Sequence, residues 1–295
     1  MNGTRLFHLH LFIVVLGAAG IACSASGECP AAEAPEVQGP LEHAELAEVS
    51  GVAASAVNDD VFYAHNDRGD SSRLFAFTRS GRHLASFEVK KSKNEDWEDL
   101  ALGPCAGGSC LYIADTGDND LERIEAVIYR VVEPDLAAAG ETALASERFP
   151  FRYPDGPHDV EAMLVHPSSG VVTLVTKEKS GPAGVYEVNL PATVGETVTA
   201  VKRGELDPPQ GDNEITGGAI HPEATGLLLR TKTHLFYYAM EPGQSAAEAI
   251  MGAGCSIPVA DERRGEAVTW LRSGAGFLTV GEGIGVNVYV SAWSP

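Results

Sequence analysis

Carboxylates recur along this chain at matched positions. Five short segments share one pattern: Glu48-Val49-Ser50-Gly51, Asp96-Trp97-Glu98-Asp99, Asp159-Val160-Glu161-Ala162, Glu214-Ile215-Thr216-Gly217 and Arg264-Gly265-Glu266-Ala267. Each opens on a charged residue, carries an acid or hydroxyl two residues later, and runs into a strand-like stretch. Glu48, Asp96, Asp159 and Glu214 hold the first position, and Glu98, Glu161 and Glu266 the second. Residues two apart on a strand point to one side. If the segments surround a common axis, seven carboxylates converge on it. Like charges that close demand protons, a hard cation, or Lys and Arg beside them. The same side chains have a plainer use, in which each accepts backbone N–H groups of its neighbour and holds the segments in register. The pattern singles out no catalytic residue.

Bases for such a cluster stand further along each repeat. Lys177, Arg230 and Lys232 close the second strand-like run of their units, on the face where His65-Asn66-Asp67 and Asp115-Thr116-Gly117-Asp118-Asn119 also fall. Together they make either a mixed-charge pocket for a polar ligand or a structural salt network. Asp115, Asp118 and Asn119 are oxygen donors of the kind Ca²⁺ takes, although Gly117 and Asp120 break the EF-hand spacing. A turn in which Asp and Asn bond their own backbone fits the same residues. GxSxG, Walker, GxGxxG and HExxH motifs are absent, which weakens nucleotide and zinc-peptidase readings.

The elements that must position these groups are strands. Gly51, Asp99, Ala162, Gly217 and Ala267 lie 48, 63, 55 and 50 residues apart, near the spacing of a four-stranded propeller blade. After each signature come three β-branched and aromatic runs, such as Gly51–Val57, Val61–Asp67 and Arg73–Arg79 in the first unit. Fourth strands follow at 82–89, 147–153 and 197–206, and more weakly near Cys255. The expected fold is an all-β propeller of four-stranded antiparallel blades, five by the repeat and six if one blade lacks the signature. The fifth unit lacks a fourth strand, and His43–Val49 is expected to supply it and close the ring. Residues 135–145 read as a brief helix.

The N-terminus addresses the chain. Residues 11–22 are twelve uncharged residues preceded by one base, the length of a signal-peptide core and short of a membrane span. Gly20-Ile21-Ala22-Cys23 resembles a lipobox, with Cys23 as the lipidated residue, and ordinary cleavage near residue 26 competes with it. The expected organisation is a signal peptide over 1–22, a flexible tether over 23–40 and the propeller over 41–295. With 41 acids against 21 bases, net charge −20 and pI about 4.7, nucleic-acid partners are disfavoured and cations or basic partners favoured. Cysteine use fits an oxidising compartment. Cys105 and Cys110 flank a hairpin turn that a disulfide would clip, leaving Cys29 and Cys255 as a second candidate pair.

The blocks Asn94-Glu95-Asp96-Trp97-Glu98-Asp99 and Leu111-Tyr112-Ile113-Ala114-Asp115-Thr116-Gly117-Asp118-Asn119, with Tyr153-Pro154-Asp155-Gly156-Pro157-His158-Asp159, resemble a group of secreted bacterial β-propeller proteins and lipoproteins. That resemblance runs over residues 45–290 and implies fold and export rather than a reaction. More distantly, the acid-lined channel is similar to that of calcium-dependent propeller phytases. The sequence thus points to an extracytoplasmic monomer, lipid-anchored at the cell envelope or secreted, touching the membrane only through its anchor. Its expected role is a scaffold holding a polar small molecule or protein at an acidic channel mouth. The alternative is a Ca²⁺-type metal-dependent hydrolase of phosphoesters or glycosides.

Overall fold

The computed structural model describes Met1 and residues 29–137, 142–262 and 264–294. The signal segment 2–22 and the proposed anchor Cys23 lie outside the described residues. Within them the chain is all-β, arranged as successive antiparallel units around an axis. The first unit pairs Val49–Ala54, Val61–Asn66, Arg73–Thr78 and His83–Lys90 in order. The second pairs Trp97–Cys105, Gly108–Asp115, Ala126–Val132 and Ala143–Arg152, and its outer strand also joins the first unit through parallel pairing of Ala143 with Glu88. Val160–Val165, Val172–Thr176, Ala183–Val188 and Val201–Leu206 make the third. The fourth comprises Ile215–Ile220, Gly226–Thr231, Leu235–Ala239 and Cys255–Ile257. The last begins with Gly265–Trp270, Gly276–Gly281 and Asn287–Ser294.

Burial explains why these runs are strands and in what order they stack. Val61–Asn66, Gly226–Thr231 and Gly276–Gly281 are buried at every residue, as expected of strands covered on both faces. Outer strands such as Val201–Leu206 are largely exposed. Apolar side chains fill the seams between neighbouring units. Ala53, Tyr63 and Leu74 meet Trp97, Leu111 and Ile113 across the first seam. The ring closes in the same way, with Val49, Phe62 and Phe75 against Ala267, Leu278 and Val280. First strands follow one another around the axis, and Gly265–Trp270 returns to Val49–Ala54. The arrangement is propeller-like.

One expectation fails here. The strand that completes the last unit is not His43–Val49 but Glu36–Pro40, which pairs with Asn287–Ser294 from Glu36 opposite Val290 to Pro40 opposite Asn287. Ala31–Ala32 pairs further along the same strand. Much of the segment read as a tether over 23–40 is therefore part of the sheet. Its Pro40 is compatible because a proline is tolerated at a strand end on an edge. Residues 43–48 instead form a turn-containing connection, where Leu46, with Leu41 before it, buries into the closing seam. Of residues 135–145, read as a brief helix, 138–141 lie outside the described residues and 143–145 belong to the strand Ala143–Arg152; among the described residues the α-helix is Ala246–Ile250, capped reciprocally by Ser245 and Glu248.

Both disulfides form. Cys105–Cys110 clips its hairpin, and Cys29–Cys255 ties the N-terminal segment to the outer strand of the fourth unit across 226 residues. They point to an oxidising, extracytoplasmic environment. No helix among the described residues is long and apolar enough to cross a membrane. In the chain-entropy account, the long loop is worth about 5 kcal/mol and the short one about 2 kcal/mol. Cys29→Ser is therefore expected to lower the thermal midpoint at least twice as far as Cys105→Ser. Equal losses in parallel melts would show that closing the long loop stabilises the ring no more than the hairpin clip does.

Candidate metal centre

Each first strand breaks register with its second strand at the same place. The shift falls between Val49 and Gly51, Trp97 and Asp99, Val160 and Ala162, Ile215 and Gly217, and Gly265 and Ala267. The residues inserted there are Ser50, Glu98, Glu161, Thr216 and Glu266. A bulge leaves its extra residue out of the ladder and re-aims the side chain. Two of the five become fasteners between units. Ser50 Oγ donates to the Glu98 carbonyl at 2.6 Å, and Thr216 Oγ1 to that of Glu266 at 3.1 Å. The other three are glutamates.

Two of those glutamates, Glu98 and Glu161, meet Asp96 and Asp159 from the starts of first strands and Asp67 from the end of a second strand. Asp67, Asp96 and Glu98 place one carboxylate oxygen each within 4.8 Å of one another, and so do Glu98, Asp159 and Glu161. Glu98 belongs to both sets and is 4% exposed. Lys177 forms an ion pair with Glu161, and Arg68 Nη1 stands 3.9 Å from Asp96. Asp96 Oδ1 is buried with no hydrogen-bond partner. Gly117 is what leaves space for these groups: a Cβ there would sit 2.2 Å from Glu98 Oε1 and 2.6 Å from Asp96 Cγ.

Crowding and burial shift the titration of Asp96 and of the three glutamates. Burial, then Asp67, raises Asp96 to about 7. Burial, with Glu161 and the three aspartates, raises Glu98 well above its ordinary value. Glu161 rises to about 8 through burial, against the pull of Lys177. Glu266 rises to about 7 by burial and the nearby Glu282, while Lys177 opposes. Lys177 itself is desolvated, yet Glu161, Glu266 and Glu98 more than offset this and raise its pKa. The arrangement is a set of oxygen donors short of positive charge.

The sequence-named residues divide accordingly. Asp96, Glu98, Asp159, Glu161 and Lys177 come together, with Glu266 alongside. Glu48 is exposed. Glu214 and Lys232 lie 4.0 Å apart at the half-exposed rim. Arg230 does not reach the axial acids. It is fully buried in the wall, where it pairs with Glu262 at 3.0 Å and donates to the Ala267 carbonyl at 2.9 Å.

Asp115, Asp118 and Asn119 do not form a donor set among the described residues. Asp115 accepts the Asp96 N–H at 2.9 Å and pairs with Arg123 at 3.1 Å. Asp118 accepts the N–H groups of Glu122 and Arg123, and its own N–H is donated to Asp159 Oδ1 at 2.8 Å. The Asp-Thr-Gly-Asp turn buttresses the centre, which lies one shell further in.

Asp67, within the cluster, and Asp99, beneath it, are carboxylates that the repeat did not single out. Asp67 stood in the polar run ending the first unit's second strand, the signal that could have included it. Asp99 is fully buried below the cluster. It accepts the N–H of Leu100 at 2.8 Å, Met163 at 2.8 Å and Gly218 at 3.2 Å, joining three units at the axis. Burial pushes its pKa well up, and those three N–H groups pull against it.

No protein-family model matches the chain, and no curated protein matches it in sequence. Among solved structures it is similar to a gluconolactonase from Xanthomonas campestris described as important in glucose secondary metabolic pathways. The identity is 10%, the TM-score 0.47, and the match covers 91% of this chain and 99% of that one. At that distance the likeness carries neither a ligand nor a reaction to this protein.

Two outcomes follow from the geometry. Asp99→Ala strands three buried N–H groups, each costing about 1–3 kcal/mol, so urea unfolding should show a loss of at least about 3 kcal/mol. Asp99→Asn keeps an acceptor oxygen and should lose less; a loss under about 1 kcal/mol for the alanine variant would remove Asp99 from its central role.

The raised carboxyls also set a pH trend. Asp96, Glu161 and Glu266 hold protons in the folded state that the unfolded chain releases near pH 4. Their contribution to stability is thus full below that pH and is lost as pH rises through about 7 to about 8. In EDTA, the thermal midpoint should fall from pH 5 to pH 8. A midpoint that climbs over this range would contradict protonated acids at the centre.

Proposed function

We propose that this chain is a five-bladed β-propeller of four-stranded blades whose acidic mouth binds a hard divalent cation, Ca²⁺ foremost, and that it is a cation-dependent hydrolase. Five units with equivalent bulges, each completed to four strands, support the blade number. The observation that carries the cation is Asp96 Oδ1, a buried acceptor with no partner inside a cluster already crowded with carboxylates. Five acids form two triads that share Glu98, and Ca²⁺ accepts six to eight oxygens in flexible geometry where Mg²⁺ demands an octahedron. A bound cation would polarise a substrate oxygen and lower the pKa of a water. Lys177, beside Glu161, is placed to receive negative charge on that substrate. Buried carboxyls with raised pKa values at a channel mouth favour chemistry over a plain binding scaffold.

Phosphoesters and glycosides are the substrate classes this reading takes, since both present oxygens to a cation and both use carboxyl groups as acid and base. The chain acts outside the cytoplasm, and lipidation of Cys23 would hold it at the envelope.

Calcium titration of EDTA-treated protein at pH 8 tests the proposal. At a hundredfold excess over Kd, binding is worth about 2.7 kcal/mol, a rise of roughly 5 °C in the thermal midpoint. Glu98→Gln should abolish the rise, and lowering the pH to 6 should weaken it, because the raised carboxyls must ionise to bind. No shift with 10 mM Ca²⁺ or Mg²⁺ ends the cation reading. A shift without EDTA-sensitive turnover of chromogenic phosphoesters or glycosides leaves a cation-binding scaffold.

A further inference from the structure

The first strands carry acids at their beginnings and apolar residues at their ends. At that second end, below Asp99, lies a cavity of about 200 Å³ whose walls include Leu102, Met163, Val165, Ile220 and Trp270. No carboxylate lines it. The one charged residue there, Arg272, already pairs with Asp59 at 2.9 Å.

The polar side chains of the wall are committed elsewhere. Ser55 Oγ donates to Glu133, Trp270 Nε1 donates to the Ala219 carbonyl at 3.2 Å, and Thr269 Oγ1 accepts the Ala54 N–H at 3.3 Å. What remains are strand edges. The N–H groups of His166, His221 and Leu271 turn outward to their second strands, at 2.9, 2.8 and 2.8 Å. Antiparallel alternation then turns the N–H and C=O of the residues just before them, Val165, Ile220 and Trp270, toward the axis, where the Trp270 carbonyl accepts the Thr269 hydroxyl at 3.4 Å. The cavity is therefore apolar in its side chains and hydrogen-bonding in its backbone, with three N–H donors and the carbonyls of Val165 and Ile220 as acceptors.

We propose that this cavity binds a small neutral ring compound carrying one hydroxyl or amide group. Size sets the ring, since an apolar cavity of about 150 Å³ accommodates benzene and this one has room for a ring and one substituent. The exposed strand edges call for a polar group that both donates and accepts. Charge sets neutrality: the protein carries −20 overall, the described lining holds no acid for a cation, and its lone base, Arg272, keeps its side chain largely in solvent beside Asp59, where it is screened from the interior. The site is independent of the cation centre, from which buried Asp99 separates it.

Calorimetric titration of the full chain with phenol, benzamide, toluene and benzoate tests this. Phenol or benzamide should bind saturably at one site, and toluene and benzoate at least tenfold more weakly. Ala54→Leu and Ile220→Trp, which fill the cavity from different strands, should each weaken phenol or benzamide binding at least tenfold, with circular dichroism checking the fold. If either variant fails to fold, the order of the four compounds on the unaltered chain still decides. The proposal is overturned if none of the four saturates, if toluene or benzoate matches the neutral polar compounds, or if folded, filled variants bind as before.

Discussion

A strand that faces a central axis has one edge in a ladder and one edge with no neighbour to pair. The first strands here are five such edges, each presenting N–H and C=O groups to the interior. Leaving one buried group unpaired costs about 1–3 kcal/mol, so the ring has to answer the same demand at every unit. Asp99 answers it for three strands at once by gathering N–H groups from Leu100, Met163 and Gly218. Thr269 takes the Ala54 N–H, and Glu133 takes those of Ala56 and Val57. Where no side chain does so, the edge groups remain open to whatever enters the channel. Both candidate sites lie in what these solutions leave free.

Charge at the mouth has a different character from charge in the surrounding walls. Asp115 and Asp118 show what a structural carboxylate looks like in this protein, each accepting backbone N–H groups and touching Arg123. Asp96, Glu98 and Glu161 are not satisfied in that way. Two like charges 4.8 Å apart repel by about 3 kcal/mol at an effective dielectric near 20, and several such pairs coexist here. One ammonium on Lys177 and a distant guanidinium on Arg68 do not balance them. The raised titration of the cluster is the molecule's answer when protons are the only counter-charge, and a divalent ion is a better one.

Much of this was legible in the sequence. The repeat located the first strands, and the positions of Glu98, Glu161 and Glu266 in it are the bulged residues. Cys105 with Cys110 followed from the hairpin between them. The closing strand was not legible, because Glu36–Pro40 sits in a small, proline-containing stretch whose only strand-like feature is its partner, Asn287–Ser294, some 250 residues away in sequence. Arg230 misled for a related reason. Its place at the end of a second strand suggested the axial acids, while the seam between the fourth and fifth units offered the buried Glu262. Asp99 stood in the repeat beside Gly51 and Gly217, and only its three-dimensional reach to Met163 and Gly218 sets it apart from them.

The first strands all leave the same mouth, and this shared direction sorts the channel chemically. Residues 96–98 and 159–161 bring acids to one end, while residues 100–102 and 163–165 bring Leu, Met and Val to the other. Asp99 lies at the change, with no water-facing surface and its oxygens held by backbone. A cation at the acids would face buried Asp99 and, past it, a described wall with no carboxylate. A neutral ring compound faces the reverse barrier, since the acids of the mouth offer it charge in place of apolar contact. A single circle of strands thus keeps two solvents apart on one axis, because residues a few steps along each strand belong to different ends of it.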